Sequence, residues 1–228
     1  GVNLLAVLRR PEQCALLATE GDEAVGFCSC LRTPSATEPR LEIDLLGVLP
    51  SHQGRGLGTA LIRAAQQEGQ RQGIDLFRAV VAVDNVASLR AFARAGLAPC
   101  GPPHALLVYL IRGFARRESL PPGWRAHVVH RGTVASPAGT CFCASGDRIV
   151  HRLSDAARRV VALTECLEVH TLSYRGLWLE QLWSADEQAL AVLLRWLVEW
   201  AKKRRLDEVG HLCVVAEDSP QRELWLAE

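Results

Sequence analysis

Several features that mark particular classes of protein are missing from this sequence of 228 residues. It has no excess of one charge, because 26 basic and 25 acidic side chains leave a formal net charge of +1. A strong positive field is what attracts nucleic acid and anionic lipid. No apolar stretch reaches the roughly 20 residues of a membrane span, and the first residues do not resemble a signal peptide. We therefore expect a cytoplasmic protein with neither a nucleic-acid nor a membrane partner.

Cysteine and histidine are present, but not in the patterns of a disulfide scaffold or a metal site. Eight cysteines in 228 residues is a low density, and the pairs Cys28/Cys30 and Cys141/Cys143 are spaced C-x-C inside strand-like segments. Free thiols of an intracellular protein fit this usage best. No histidine pair has the spacing of a zinc site, so no metal is expected.

Methionine is absent altogether, and the first residue is Gly1, so a fragment of a longer chain is expected. The remaining composition is that of a globular protein, with 49% hydrophobic and 22% charged residues. The length exceeds the roughly 100–150 residues that are commonest for one domain, so two domains are expected.

Alternating and helical periodicities predict a mixture of strands and helices in both halves of the chain. In the first half, strands are predicted at 14–19, 24–31, 41–49, 76–83, near Leu97 and at 105–111, and helices after Gly56 and after Asn85. In the second half the order is strand, strand, helix, strand, helix, at 160–171, 176–183, 186–203, 209–216 and 220–227. A Pro- and Gly-containing segment at 113–123 is predicted to link domains at 1–112 and 124–228.

The most informative segment joins the strand 41–49 to the helix that follows it. Its sequence is Gln53-Gly54-Arg55-Gly56-Leu57-Gly58. A glycine-rich turn exposes backbone N–H groups, and the helix dipole adds positive potential, so the turn suits a phosphate or pyrophosphate. The P-loop is excluded because no Gly-Lys-Ser/Thr follows, and the dinucleotide pattern fails because Thr59 occupies the place of its third glycine. A glycine-rich turn of purely structural purpose remains an alternative.

This segment resembles the pyrophosphate signature Q/R-x-x-G-x-G/A of the GNAT superfamily of N-acetyltransferases. A second segment, Asn85 to Phe92 followed by Ala95-Gly96-Leu97, resembles the asparagine helix of that family and its closing Gly-Phe, with Leu97 in place of the Phe. The resemblance covers roughly residues 1–112. It also implies one more strand and helix before Gly1.

The resemblance implies an α/β fold with a mixed sheet, of the acyl-CoA-binding type, followed by a second GNAT-like domain. It implies an enzyme that moves an acetyl group from acetyl-CoA to a primary amine of a small molecule or peptide. Acetyl-CoA would lie between the splayed strands 41–49 and 76–83. The residues that the resemblance implies for binding are Leu46, Gly47, Val48, Gln53, Gly54, Arg55, Gly56, Leu57, Gly58, Thr59, Asn85, Ser88 and Phe92.

Two carboxylates on one face of the strand 41–49 are candidates for the catalytic base. Transfer to an amine requires a base to take an ammonium proton, and Glu42 stands at a position resembling that of a glutamate base in this superfamily. Asp44 projects from the same face and would raise the pKa of its neighbour. Ordinary surface carboxylates are the alternative. Phe92 stands where the family often has a proton-donating Tyr, and it has no hydroxyl to donate.

The corresponding turn of the second half, at 183–188, contains Asp186 and Glu187 and no glycine. Acidic side chains repel pyrophosphate, so residues 124–228 are expected to lack a CoA site and to shape the acceptor pocket or a homodimer contact. His52, next to the first glycine-rich turn, is interpreted as exposed rather than as a phosphate ligand. A non-catalytic acyl-CoA-binding or regulatory protein is the alternative function.

Overall fold

The computed structural model describes residues 13–33, 39–111, 120–171 and 174–214. The chain folds into two compact units, Gly1–Gly101 and Pro102–Glu228, each with its own hydrophobic core. Both units combine helices with a sheet, which confirms the mixed α/β fold predicted from the sequence. No helix in the described ranges is long and apolar enough to cross a membrane.

The sheet of the first unit has four strands in the order β1-β2-β3-β4. They are β1 (Gln13–Glu20), β2 (Glu23–Thr33), β3 (Arg40–Val48) and β4 (Leu76–Arg78). The first three are antiparallel, whereas β4 runs parallel to β3. Parallel neighbours need a crossover connection, and helix α1 (Leu57–Arg71) supplies it. Helix α2 (Val86–Arg94) follows β4.

One face of α1 forms the core of this unit. Leu61, Ile62 and Ala65 recur at helical spacing and are at most 4% exposed. They pack with the buried strand residues Leu41 and Ile43. Burying a side chain such as Leu61 contributes about 1.5–3 kcal/mol, so this contact fixes α1 on the sheet.

A β-bulge in β3 changes which residues face α1. Cys30 pairs with Ile43 and Ser29 pairs with Leu45, so Asp44 is the extra residue of the bulge. Strict alternation would place Leu41, Ile43 and Leu45 on one face, but beyond the bulge it is Leu46 and Val48 that pack against the core. The bulge therefore turns those two side chains towards the glycine-rich turn.

Strand β4 is shorter than predicted. It pairs with β3 only from Leu76 to Arg78, opposite Arg40 to Glu42. The strand predicted at 76–83 is therefore wrong beyond Arg78, where its pairing with β3 ends. Within the described ranges, β3 has no strand neighbour on that side from Ile43 onwards, and the strand expected near Leu97 does not form.

The second unit is built on a six-stranded sheet in the order β5-β12-β11-β10-β9-β6, with a separate hairpin of β7 and β8. The strands are β5 (His104–Leu110), β6 (Arg125–Val129), β7 (Gly132–Ala135), β8 (Cys141–Ala144), β9 (Arg148–Ser154), β10 (Val160–His170), β11 (Arg175–Ser184) and β12 (Glu208–Val214). Helix α3 (Glu187–Lys203) buries Leu190, Leu193 and Leu197 against this sheet.

The division of the chain differs from the predicted one. The strand predicted at 105–111 exists as β5, but it pairs with β12 in the sheet of the second unit rather than completing the domain 1–112. The break consequently falls at Gly101 and Pro102. Hydrogen bonds from one strand to a partner about 100 residues later cannot be seen in local periodicity. The predicted linker 113–123 lies mostly outside the described residues, as does the helix predicted at 220–227.

The pattern of the second half predicted β10, β11, α3 and β12, but of the four strands between residues 125 and 154 only the segment around Cys141 and Cys143 was recognised as strand-like. These are short, and one buries a histidine. His151 of β9 is fully buried, and its Nδ1 accepts a hydrogen bond of 3.1 Å from the indole Nε1 of Trp196. The ring of Trp200 meets His151 edge-on at 4.9 Å between centroids. The tryptophans of α3 thus pack on the sheet of their own unit.

Candidate functional site

A cleft of about 580 Å³ lies where β3 ends and α1 begins. The glycine-rich turn, the first turn of α1 and one face of α2 surround it. Its lining residues are Leu46, Val48, His52, Gln53, Gly54, Gly56, Leu57, Gly58, Thr59, Asn85, Ala87, Ser88, Arg90, Ala91 and Arg94. The two sequence motifs, some 30 residues apart in the chain, therefore meet at one cavity.

The glycines of the turn adopt backbone angles that other residues avoid. Gly54 has φ 75° and Gly56 has φ 83°, both in the left-handed region. Gly56 is the N-cap of α1 and makes no side-chain capping bond. The first helical hydrogen bond runs from the N–H of Ala60 to the Gly56 carbonyl, at 3.0 Å. The N–H groups of the preceding three residues thus have no helical acceptor, which suits an anion.

Gln53 contributes through both its backbone and its side chain. The side-chain Nε2 donates to the carbonyl of Val48 at 3.1 Å, which closes the turn between the end of β3 and α1. Gln53 is therefore a structural brace of the loop as well as a lining residue. Gly47, in contrast, lies outside the lining, and an added Cβ would stand 2.5 Å from the ring of Phe27.

An ion-pair cluster holds the loop to the end of β1. Glu20 accepts from Arg55 at 2.8 Å and contacts the ring Nε2 of His52 at 2.7 Å. Hydrogen bonding by Arg55 and His52 lowers the pKa of Glu20 to about 2. The interpretation of His52 as simply exposed is wrong, because its side chain is 14% exposed and paired. Arg55, predicted to bind the cofactor, lies outside the cleft lining.

Helix α2 presents the asparagine motif to the cleft. Asn85 is its N-cap, and the side-chain Oδ1 accepts from the N–H of Ser88 at 3.1 Å, a bond that stabilises the first turn. Phe92 is not in the lining: it is 9% exposed and packs in the core of the first unit. Its ring therefore supports the wall of the cleft from behind.

Two arginines of α2 line the cleft and were not predicted from the sequence. Arg90 and Arg94 are one helical turn apart on the face that also carries Ala87 and Ala91. The described lining includes no acidic residue. Arg63 of α1 stands nearby and donates to the backbone carbonyl of Arg94 at 2.7 Å. A helical-wheel projection of α2 with the asparagine motif would have revealed this basic stripe.

The two candidate catalytic carboxylates lie outside this lining. Glu42 sits in the paired part of β3, where its carboxylate accepts from the Nε of Arg40 and, at 2.8 Å, from the Nε of Arg78. Both of its oxygens are thus engaged, rather than directed at a substrate as the sequence suggested. Asp44 is the bulge residue, half-buried in the part of β3 that β4 has left. Its charge contributes to raising the pKa of Cys30, after the neighbouring Cys28 and burial.

In the second unit, the helix that follows the corresponding turn begins differently. Asp186 is the N-cap of α3, and its carboxylate accepts from the N–H of Ala189 at 2.7 Å. The carboxylate of Asp186 thus caps the start of α3, whereas no side chain caps the start of α1 at Gly56. The described residues contain no group of three or more His, Cys, Asp or Glu that would hold a metal ion.

The acetyltransferase (GNAT) family model matches residues 3–97. A mycothiol acetyltransferase of Sanguibacter keddieii is 38% identical over 85 residues, which make up 36% of this chain and 27% of the relative. The chain thus spans about a quarter of the length of that curated relative.

Solved structures that match part of this chain share little sequence with it. A transcriptional regulator from Bacillus halodurans has 19% identity and a TM-score of 0.41, covering 44% of this chain and 69% of its own. An aminoglycoside antibiotic 6'-N-acetyltransferase from Acinetobacter haemolyticus has 20% identity and a TM-score of 0.40, covering 52% and 79%. The family match and the two motifs around one cleft fall in the same part of the chain. Over residues 3–97, the chain is similar to the acetyltransferase (GNAT) family.

Proposed function

We propose that this protein is an N-acetyltransferase that binds acetyl-CoA in the cleft of the first unit and transfers the acetyl group to a primary amine. The observation that carries the proposal is the start of α1, where Gly56 leaves the first helical N–H groups uncapped inside a cleft without a described acidic lining residue. Uncapped N–H groups and the positive end of a helix dipole bind pyrophosphate well.

The open edge of β3 suits the thioester arm of the substrate. Beyond Glu42, no described strand pairs with β3 on the side of β4. Backbone groups there are therefore open to an extended chain of amides, as pantetheine is, and the side chains of Leu46 and Val48 supply apolar contact.

Direct attack accounts for the reaction without a covalent enzyme intermediate. The neutral amine attacks the thioester carbonyl, a C–N bond forms, the C–S bond breaks, and the thiolate of CoA leaves. A base takes the ammonium proton before the attack, and the nitrogen releases a second proton to solvent as the amide forms. A proton from solvent neutralises the thiolate, since Phe92 has no hydroxyl. For the base we favour Asp44 over Glu42, because Asp44 lies in the splayed part of β3 while two arginines hold Glu42.

A non-catalytic acyl-CoA-binding or regulatory protein is the second candidate. The engaged carboxylate of Glu42 and the buried, hydroxyl-free Phe92 favour it, because two groups that the resemblance associates with catalysis are not in reacting positions. The two candidates share the cleft and differ only in turnover.

A CoA-release assay separates the two. Acetyl-CoA would be incubated with the protein and a panel of primary amines drawn from small molecules and peptides. Amine-dependent release of CoA is expected. Binding of acetyl-CoA in calorimetry, without release above the rate of buffer for any amine, would favour the regulatory protein.

A further inference from the structure

The basic stripe of α2, formed by Arg90 and Arg94, has no acidic partner in the part of the chain that the structure describes. Among the described residues no carboxylate pairs with Arg90 or Arg94, although both line the cleft. Four other arginines of the first unit do pair with carboxylates, namely Arg40, Arg55, Arg71 and Arg78. Among the described residues, Arg32 and Arg63 also lack a carboxylate partner, so Arg90 and Arg94 are distinguished by lying in the cleft lining.

The dipole of α2 does not account for the positive charge at both Arg90 and Arg94. Arg94 lies in the last turn of α2, where a cation interacts favourably with the helix dipole. Arg90 is one turn earlier, outside that region. Like charges at this spacing destabilise an isolated helix, and Arg63 brings a third guanidinium to the carbonyl of Arg94. An anion bound between these side chains would remove the repulsion.

The pyrophosphate alone leaves these arginines without a role, because the turn at Gly54 and Gly56 and the uncapped start of α1 already provide its donors. CoA carries a second anionic group, the phosphomonoester on the ribose 3' carbon, with a charge near −2 at neutral pH. Guanidinium groups bind phosphate with paired N–H donors.

We infer that Arg90 and Arg94 form a subsite for this second phosphate and make the cleft select CoA over nucleotides that have only the pyrophosphate. The inference rests on the proposed acyl-CoA site and adds its specificity: the donor must be 3'-phosphorylated. Because both side chains are exposed, salt screens their attraction for the phosphate. The preference for CoA over nucleotides that lack the 3'-phosphate should therefore decrease as the ionic strength rises.

The test is calorimetric titration of the full chain with CoA and with dephospho-CoA. The wild type should bind CoA about tenfold more tightly, the effect of one or two exposed charge-assisted hydrogen bonds. In Arg90→Gln/Arg94→Gln the affinity for CoA should fall to that for dephospho-CoA, whose own affinity stays the same. Arg90→Lys/Arg94→Lys, which keeps both charges, should retain most of the preference.

Arg71→Gln is the control for the loss of a positive charge elsewhere in the unit, because Arg71 pairs with Glu68 away from the cleft lining. It should leave both affinities unchanged. An equal loss for both nucleotides in the double Gln variant would assign the arginines to the pyrophosphate and overturn the inference, as would equal affinities in the wild type. If the wild type bound neither nucleotide, the proposed function itself would fail, and the subsite with it.

Discussion

At the scale of single residues, the environment of a side chain decides its chemistry more than its position in a motif. Glu42 stands where the resemblance implies a base, yet two guanidinium groups hold its carboxylate. One of those arginines, Arg78, reaches it from β4, 36 residues later in the chain. No local pattern in the sequence reveals such a partner, so the role of Glu42 was not predictable.

Substitution of the two carboxylates tests their roles. We expect Asp44→Asn to lower kcat by about a hundredfold, the usual contribution of a general base, with little change in acetyl-CoA affinity. Glu42→Gln should lower kcat less but reduce the free energy of unfolding by about 1–3 kcal/mol, because it weakens a partly buried ion pair. Steady-state kinetics and urea unfolding provide the two measurements. A larger kcat loss in Glu42→Gln at unchanged stability would reverse the assignment.

His151 is a second residue whose protonation state depends on residues that are distant in the sequence. Burial is the main cause that lowers its pKa from 6.5 to about 4, and the charges of His130 and Arg204 add to it. In the unfolded chain the ring takes up a proton below about 6.5, whereas in the folded protein it stays neutral down to about 4. Protonation therefore favours unfolding within this window.

Stability should accordingly be fully present above pH 6.5 and be lost as the pH falls towards 4. The contribution of His151 to this loss is on the order of 3 kcal/mol. Urea unfolding at several pH values measures the total, to which the buried His211 adds with the same sign. NMR titration of the His151 ring isolates its share. A ring that titrates near pH 6.5 in the folded protein would contradict this explanation.

At the scale of elements, local sequence predicted what local physics determines. The glycine-rich turn, α1, α2 with its Asn85 cap, and the hairpin of β1 and β2 all follow from neighbours within a few residues, and the structure contains them. The bulge at Asp44, the early end of β4 and the pairing of β5 with β12 depend on partners elsewhere in the chain. Sequence patterns therefore found the glycine-rich turn but misjudged the ends of the strands.

The pairing of β5 can be tested with two truncated proteins. Pro102–Glu228 includes β5, whereas 123–228 lacks it and leaves the edge of β12 open. We expect the longer segment to unfold cooperatively in urea, and the shorter one to be less stable, since it loses a seven-residue antiparallel pairing and the buried Leu107. Neither should bind CoA, because Asp186 caps α3. Equal stability of the two segments would place β5 outside the second unit.

At the scale of the whole molecule, two units with a similar order of strand, turn and helix differ in how the helix begins. In the first unit Gly56 leaves the start of α1 open, and in the second the carboxylate of Asp186 closes the start of α3. The same backbone arrangement thus offers donors to an anion in one unit and satisfies them internally in the other. This asymmetry is why the function is assigned to the first unit.

The central claim is that the uncapped start of α1 binds the pyrophosphate of acetyl-CoA, and Gly56→Glu tests it most directly. The control is Gly73→Glu at the other end of α1, which adds the same charge at a similar backbone angle, φ 73° against 83°. Neither glycine has an atom within 4 Å of an added Cβ, so the backbone strain is matched.

Calorimetric titration with acetyl-CoA is the measurement. A carboxylate against a pyrophosphate costs several kcal/mol, so the affinity of Gly56→Glu should fall by at least about a hundredfold, while that of Gly73→Glu stays at the wild-type value. Unchanged affinity in a folded Gly56→Glu protein, or an equal loss in both variants, would contradict the claim.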